Sequence, residues 1–344
     1  MRAFTYAIDV LSACNLRCPS CPVENMRDLP TPKTLMSPEA FEAIVIKIKR
    51  ETPGAVRVDM YNWAEPLLHP RLPRLLAIAR RHGLPVGLSC NFNAWGDLEE
   101  VLGQEPESFH VSVSGFFQET YERTHPGGDI EKVKTHLRHL RETVDRCGRR
   151  TRVRVTYYCY IDNLGEDYGR MRDLCRSLGF MFVPLWAYLM PVEKLLDVYE
   201  GRPLSEGDRG LLALLAVAPE DARPARRAPS PDCVLRSRRT SISSDGSVAL
   251  CCGVYDRTHN IAPHFLEASF DELQERKYAH PLCRRCMGLG VNDILLYSDF
   301  AAWNRIAAAR IRPQSLPWGL RRMGWYFAVR RRTHRARPGL HALR

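Results

Sequence analysis

Cys14-Asn15-Leu16-Arg17-Cys18-Pro19-Ser20-Cys21 is the stretch on which the reading of the whole chain turns. It follows a mostly apolar run, Phe4 to Leu11, that reads as a β-strand. Three cysteines spaced Cys-x3-Cys-x2-Cys on one short loop can turn three thiolates toward a single metal centre. No fourth cysteine lies nearby in sequence, so one coordination position stays open, as it does in catalytic rather than structural metal sites. Thiolates suit zinc, copper(I) or iron–sulfur clusters. A structural zinc site normally takes four ligands, so a cubane cluster with one unligated iron suits three cysteines better.

Outward from this loop, strand and helix patterns alternate. Strand-like runs are Phe4–Leu11, Val56–Tyr61, Pro85–Ser89, Phe109–Val113, Val153–Tyr158 and Phe180–Pro184. Between them, Phe41, Ile44, Val45 and Ile48 share one helical face behind a Ser37-Pro38 start. Leu72, Leu75, Leu76 and Ala79 mark the next helix, and Ile130, Val133, Leu137, Leu140 and Val144 the longest. Six strand–helix units with right-handed crossovers predict an α/β fold, a partial (β/α)6 TIM-like barrel over residues 1–191. A complete eight-unit barrel takes about 250 residues, more than this stretch offers. The cysteine loop then stands at the C-terminal rim of the first strand, where barrel active sites lie.

Residues 192–232 read as a connector, one amphipathic helix followed by the Pro/Ala/Arg stretch from Pro219 to Pro231. From 233 to 300 cysteines return, around a β-hairpin signal at Asp245-Gly246. Cys233 and Cys251 precede Cys283-x2-Cys286, giving four thiolates; a zinc ribbon is the plain alternative, although its usual form has Cys-x2-Cys in both halves. Of the 12 cysteines, Cys90 and Cys159 end strands and are candidates to line the barrel cavity, while Cys147 and Cys175 sit on helices as ordinary core or surface thiols. Trp186, Tyr188 and Met190 follow the sixth strand at period two and divide between core and barrel mouth.

The formal charge of +11 is concentrated rather than spread. Ten arginines and no acid lie between Arg310 and Arg344, so the tail accounts for all but one of those charges. Residues 301–344 therefore form a basic, aromatic C-terminal tail, which suggests contact with an anionic membrane surface more than with nucleic acid. No run is long enough to span a bilayer. Leu11-Ser12-Ala13-Cys14 superficially matches a lipoprotein cleavage box, but Asp9, Thr5 and Tyr6 interrupt the apolar stretch a signal peptide needs, and the expected location is cytoplasmic.

The cysteine loop and the ends of the next four strands together resemble the radical S-adenosylmethionine (SAM) superfamily with a C-terminal SPASM or twitch-type auxiliary domain. Tyr61-Asn62-Trp63-Ala64-Glu65-Pro66 resembles the family's Gly-Glu-Pro motif, and Ser89-Cys90-Asn91 stands where the family often has Thr-Asn-Gly. Ser112-Val113-Ser114-Gly115, the segment from Tyr121 to Gly128, and Asn163 match further strand ends of the subclass with extra clusters. The resemblance implies that Cys14, Cys18 and Cys21 hold one [4Fe–4S] cluster and that Ala64, Glu65, Asn91, Ser112 and His125 contact SAM. It implies a second [4Fe–4S] cluster, fully ligated by Cys233, Cys251, Cys283 and Cys286. His125 stands where the pattern has Arg and Ser114 where it has Asp; Ser20 replaces a bulky residue beside the adenine.

In such enzymes reductive cleavage of SAM yields a radical that takes a hydrogen atom from an unactivated carbon. The expected substrate is a small molecule or glycosyl compound, epimerised or oxidised, with a flavodoxin or ferredoxin as reductant. Cys252, adjacent to a ligand, is the candidate catalytic thiol for returning a hydrogen atom in an epimerisation. Adjacent residues on a strand face opposite ways, so Cys252 points either to the barrel or to the module's core. Two other functions compete: a radical SAM maturase of a ribosomally made peptide, and a non-catalytic iron–sulfur or zinc protein with a nucleic-acid-binding tail.

Overall fold

The computed structural model describes residues 3–147, 151–222 and 232–311. Six parallel strands carry the first part of the chain: β1 (Phe4–Ile8), β2 (Val56–Asp59), β3 (Val86–Cys90), β4 (Ser108–Val113), β5 (Arg152–Cys159) and β6 (Met181–Trp186). Two more, β7 (Arg239–Ile242) and β8 (Val248–Ala249), form an antiparallel hairpin turning at Gly246, whose φ of 86° is one that glycine adopts freely. All eight belong to one sheet in the order β6-β5-β4-β3-β2-β1-β7-β8. The hairpin extends the barrel's own sheet, because β7 pairs in parallel with β1 from Thr5–Arg239 to Ile8–Ile242. Its cysteines are thereby fixed to the strand that carries the first cysteine loop.

Helices cover the outer face of the sheet. In the helix Pro38–Glu51, Ser37 caps the start by accepting from Ala40 N at 3.1 Å, and Phe41, Ile44, Val45 and Ile48 are buried. Leu75, Leu76 and Ala79 do the same for Leu72–Arg81, and Val133, Leu137 and Leu140 for Ile130–Cys147. The strands answer with the alternate residues Val58, Met60, Val86, Leu88, Phe109, Val111, Val113, Val155 and Tyr157, all buried. Tyr157 meets the Tyr168 ring edge-on at 5.6 Å, which confirms that this set faces the helices.

The other parity of each strand faces the lumen, and there the barrel is polar. Arg57, Asp59, Ser89, Ser108, His110, Ser112, Arg154, Arg239 and Ser241 occupy register positions of that parity. Closed barrels fill this space with branched apolar side chains. Cys90 and Cys159, read from sequence as cavity candidates, belong to the opposite set. Cys90 is level with Val111 and Cys159 with Trp186, and both are buried on the helix side.

Among its described residues the connector holds three short helices rather than one: Val192–Tyr199, Glu206–Leu214 and Pro219–Ala222. Gly201, at φ 71°, and Pro203 stop the first, and Ser205 starts the second by accepting from Asp208 N. Among the described residues no helix is long and apolar enough to cross a membrane. The basic tail after Ile311, like most of the Pro/Ala/Arg stretch, lies outside the described residues.

Gly87 shows how tightly the lumen floor is built. A Cβ there would lie 2.6 Å from Arg57 Nη2 and 2.7 Å from Asp59 Oδ1. Gly87→Ala is expected to break the Arg57–Asp59 pair and cost about 1–3 kcal/mol, a fall of several degrees in Tm measured by calorimetry.

Candidate active site

Asp9 directly follows β1, and the cysteine loop begins five residues later. Asp9 is the organising group of this rim. Its Oδ1 accepts from the backbone N–H of Asn62 at 2.8 Å, Trp63 at 3.1 Å and Ala64 at 3.2 Å. One carboxylate thus shapes the loop after β2. Burial raises the Asp9 pKa to about 6, against the opposing pull of those three amides. Sequence reading met Asp9 only as an interruption of an apolar run; an acid closing an otherwise buried strand was the available signal.

Glu65, next on that loop, is buried and bonded at both oxygens, accepting from Asn91 N at 2.6 Å and Leu67 N at 3.1 Å. Its own N–H donates to Ala13 O beside the cysteines. Burial raises its pKa to about 7. Asn91, at the end of β3, turns its Nδ2 to Asn15 Oδ1 at 2.8 Å and to Cys14 Sγ at 3.6 Å. The ends of β1, β2 and β3 are therefore locked together around Cys14.

The ends of β4 and β5 close the other side. Asn163 donates to Ser114 O at 2.6 Å and Tyr158 O at 2.8 Å, while accepting from Tyr160 N. His125 stacks on Tyr121 with ring centroids 4.6 Å apart, and its Nδ1 lies 2.7 Å from Ser114 Oγ. Burial lowers the His125 pKa to about 4. It is neutral at pH 7 and brings a hydrogen-bonding edge rather than charge. Ser112 is a lumen-facing residue bonded to Tyr158. Asn93, unremarked in the sequence, ties Tyr121 Oη at 2.8 Å to this group. Of the residues after β6, Trp186 is buried against Asn304 and Tyr188 packs edge-on to Tyr297, while Met190 offers its carbonyl to Asn25 Nδ2.

Cys14, Cys18 and Cys21 share this rim and act on one another electrostatically. Burial raises all three, Cys21 to about 12, while backbone N–H groups of Leu16 and Val23 point at Cys14 and Cys21. Partly buried thiols supplied with N–H donors suit a metal group that deprotonates them. Tyr160 Oη reaches Ser20 Oγ at 3.3 Å, setting an aromatic ring beside the small residue of the loop.

The second cysteine group also assembles. Cys283 and Cys286 lie one turn apart on the helix Pro281–Gly288 and act electrostatically on each other, as Cys233 does on Cys286 and Cys251 is acted on by Cys286. Arg236 Nη1 donates to Cys283 Sγ at 3.8 Å and Gly253 N to Cys251 Sγ at 3.2 Å. Among the described residues no three His, Cys, Asp or Glu side chains close round a point as they would on a single ion. Cys252 does not follow the strand alternation expected of it. β8 ends at Ala249, Cys251 and Cys252 fall in the turn beyond it, and their thiols share a hydrogen bond. Cys252 stands toward Arg239 and Asp59 of the lumen, and its pKa is lowered by the Cys251 hydrogen bond and by Arg239.

Residues 8–161 match the family model described as the Radical SAM superfamily. This part of the chain is a radical SAM domain. Such a domain works with a [4Fe–4S] cluster and SAM. Among solved structures the chain resembles Streptococcus suis SuiB bound to SAM, at 12% identity and TM-score 0.56, covering 82% of this chain and 67% of that one. It also resembles anSMEcpe with bound AdoMet, at 14% identity and TM-score 0.56, covering 83% and 82%. No curated protein matches the sequence. These similarities show the fold, a parallel α/β barrel sheet shared with radical SAM proteins.

The two acids of the radical SAM rim give a pH signature. A SAM ammonium held at Glu65 would favour its ionised form, and the Asn62–Ala64 loop favours ionised Asp9. SAM affinity, measured by equilibrium binding to the reconstituted protein, should fall as pH drops through about 7 and then about 6. Glu65→Gln should remove the upper step, and Asp9→Asn should weaken binding several-fold and remove the lower one.

Proposed function

We propose that this protein is a radical SAM enzyme that abstracts a hydrogen atom from a carbon of a small-molecule or glycosyl substrate, leading to epimerisation or oxidation. The observation that carries the reading is the single rim on which Cys14, Glu65 and Asn91 meet, with Glu65 bonded to Asn91 N at 2.6 Å and Asn91 bonded to Cys14 Sγ at 3.6 Å. Cys14, Cys18 and Cys21 would hold the [4Fe–4S] cluster; Glu65 and the Ala64 backbone would meet the SAM amino group, and Asn91, Ser112 and His125 would line the rest. Bound SAM supplies, on one-electron reduction, a carbon radical able to take hydrogen from an unactivated C–H bond. The chain's residues orient that chemistry: Asp9 fixes the loop that carries Ala64 and Glu65, and Asn163 joins the two strand ends opposite.

Cys233, Cys251, Cys283 and Cys286 would hold a second [4Fe–4S] cluster. β8 runs antiparallel to β7, and beyond it the turn carrying Cys251 and Cys252 passes beside Asn62 of the loop after β2 and Val192 after β6. A substrate between the two groups would have an electron acceptor on one side and, in Cys252, a thiol hydrogen donor near Arg239. A flavodoxin or ferredoxin would serve as reductant, and the tail would touch an anionic membrane. A peptide substrate is the second reading, favoured by one finding: the fold is also similar to SuiB bound to its precursor peptide SuiA, at 13% identity and TM-score 0.56.

Anaerobic reconstitution should give about eight irons per chain and 5′-deoxyadenosine from SAM. Replacing Cys14, Cys18 and Cys21 by Ala should abolish SAM cleavage and leave about four irons; loss of all iron would refute the two-site assignment. In deuterated water, an epimerase should place solvent deuterium at the reacting carbon, and Cys252→Ala should stop inversion. A two-electron-oxidised product without deuterium would instead mark a dehydrogenase and leave Cys252 without that role.

A further inference from the structure

The polar lumen carries a charge imbalance that the proposed chemistry does not use. Three guanidinium groups occupy its floor, Arg57, Arg154 and Arg239, and a fourth, Arg152, lies at its solvent-exposed edge. Two carboxylates oppose them. Asp59 pairs with Arg57 at 2.7 Å and with Arg239 at 3.1 Å; Glu107 pairs with Arg57 at 3.2 Å and with Arg152. The Arg154 side chain has no ion pair or hydrogen bond among the described residues, and its Nε is buried without a partner. Ser108 Oγ, Arg239 Nε and Ser241 Oγ, on the same face of the sheet, are also buried and unpartnered. His110 is level with Arg154 on β4 and its ring lies 6.0 Å from that of Tyr61. Burial first, then the Arg154 charge, lowers the His110 pKa to about 4, so it adds no compensating or competing charge near pH 7.

Leaving a guanidinium half-buried and unpaired is costly unless an anion completes it. A planar fork beside hydroxyl donors is the arrangement that recognises phosphate and carboxylate oxygens in pairs. We propose that the lumen floor around Arg154, with Ser108 diagonal to it on β4, binds an oxyanion group, phosphate or carboxylate, of the substrate. The inference rests on the radical SAM reading for its link to a substrate and narrows that substrate to an anionic one. Arg239 and Arg57 are largely engaged by Asp59, which leaves Arg154 as the group with fork donors to give.

The test uses the full-length reconstituted protein at low ionic strength, where charge is least screened. Isothermal calorimetry with inorganic phosphate, acetate and neutral glucose should show binding of at least one anion, and which one names the group. Arg154→Gln should weaken that binding at least about tenfold, with Arg154→Lys intermediate because it lacks the fork. Iron content and circular dichroism should match the wild type, which separates a binding loss from misfolding. Equal anion affinity in wild type and Arg154→Gln would overturn the proposal, as would no anion binding by the wild type up to about 10 mM, a barely measurable affinity. Loss of about four irons in Arg154→Gln with anion binding intact would assign the charge to the second cluster instead. Wild type that binds phosphate through Arg154 but never cleaves SAM would sink the radical reading while the anion site stood.

Discussion

β1 is hydrogen-bonded on both sides, to β2 and to β7, and nearly everything chemical in this chain hangs from that double pairing. A strand held along both edges has little freedom, so the groups at its C-terminal end start from a fixed point. Asp9 converts that rigidity into loop shape by taking three consecutive amides into one buried carboxylate. Such an acceptor is roughly twice as strong as a neutral one, which suits a loop with no regular secondary structure of its own. The pairing to β7 does the same for the second cysteine group, since Arg239 and Ser241 enter the lumen in register with Thr5 and Ala7.

Much of the architecture was legible because burial writes itself as periodicity. Val58 and Met60, or Val133, Leu137 and Leu140, face the core whatever the details of their neighbours, and those elements lie within a residue or two of expectation. The cysteine loop, Glu65 and Asn91 were legible because their spacing is tied to strand ends. What could not be read depends on contacts distant in sequence. Nothing local says that Arg239 pairs with Asp59, 180 positions away, or that the hairpin joins β1 rather than standing apart. The parity of Cys90 and Cys159 was fixed by register with β4 and β6, which a single sequence does not reveal. Cys252 escaped the alternation argument because β8 is only two residues long and the chain has already turned.

His125 illustrates a different limit. The sequence shows a histidine where the resembling pattern has arginine, and a neutral imidazole near pH 7 reaches a carboxylate less strongly than arginine would. The structure shows what keeps that ring neutral. Stacking on Tyr121 and burial against Ser114 keep the imidazole neutral, so any contact it makes with a carboxylate is a hydrogen bond. The same substitution that removes a charge from the rim leaves the positive potential of the barrel concentrated lower down, around Arg154 and Arg239.

That distribution bears on how a cavity can remain polar inside a stable sheet. The helix-facing residues bury the apolar surface that holds the barrel together, so the lumen is free to carry arginines, serines and a histidine that a closed barrel would exclude. The cost of those groups is met partly within the chain, by Asp59 and Glu107, and partly left open at Arg154. An interior that holds an unpaired guanidinium favours an anionic molecule over a neutral one, since a neutral substrate would leave that group unpaired. Selectivity of this kind needs no lid or rearrangement. It follows from placing more cations than anion partners on strands whose positions β1 already fixes.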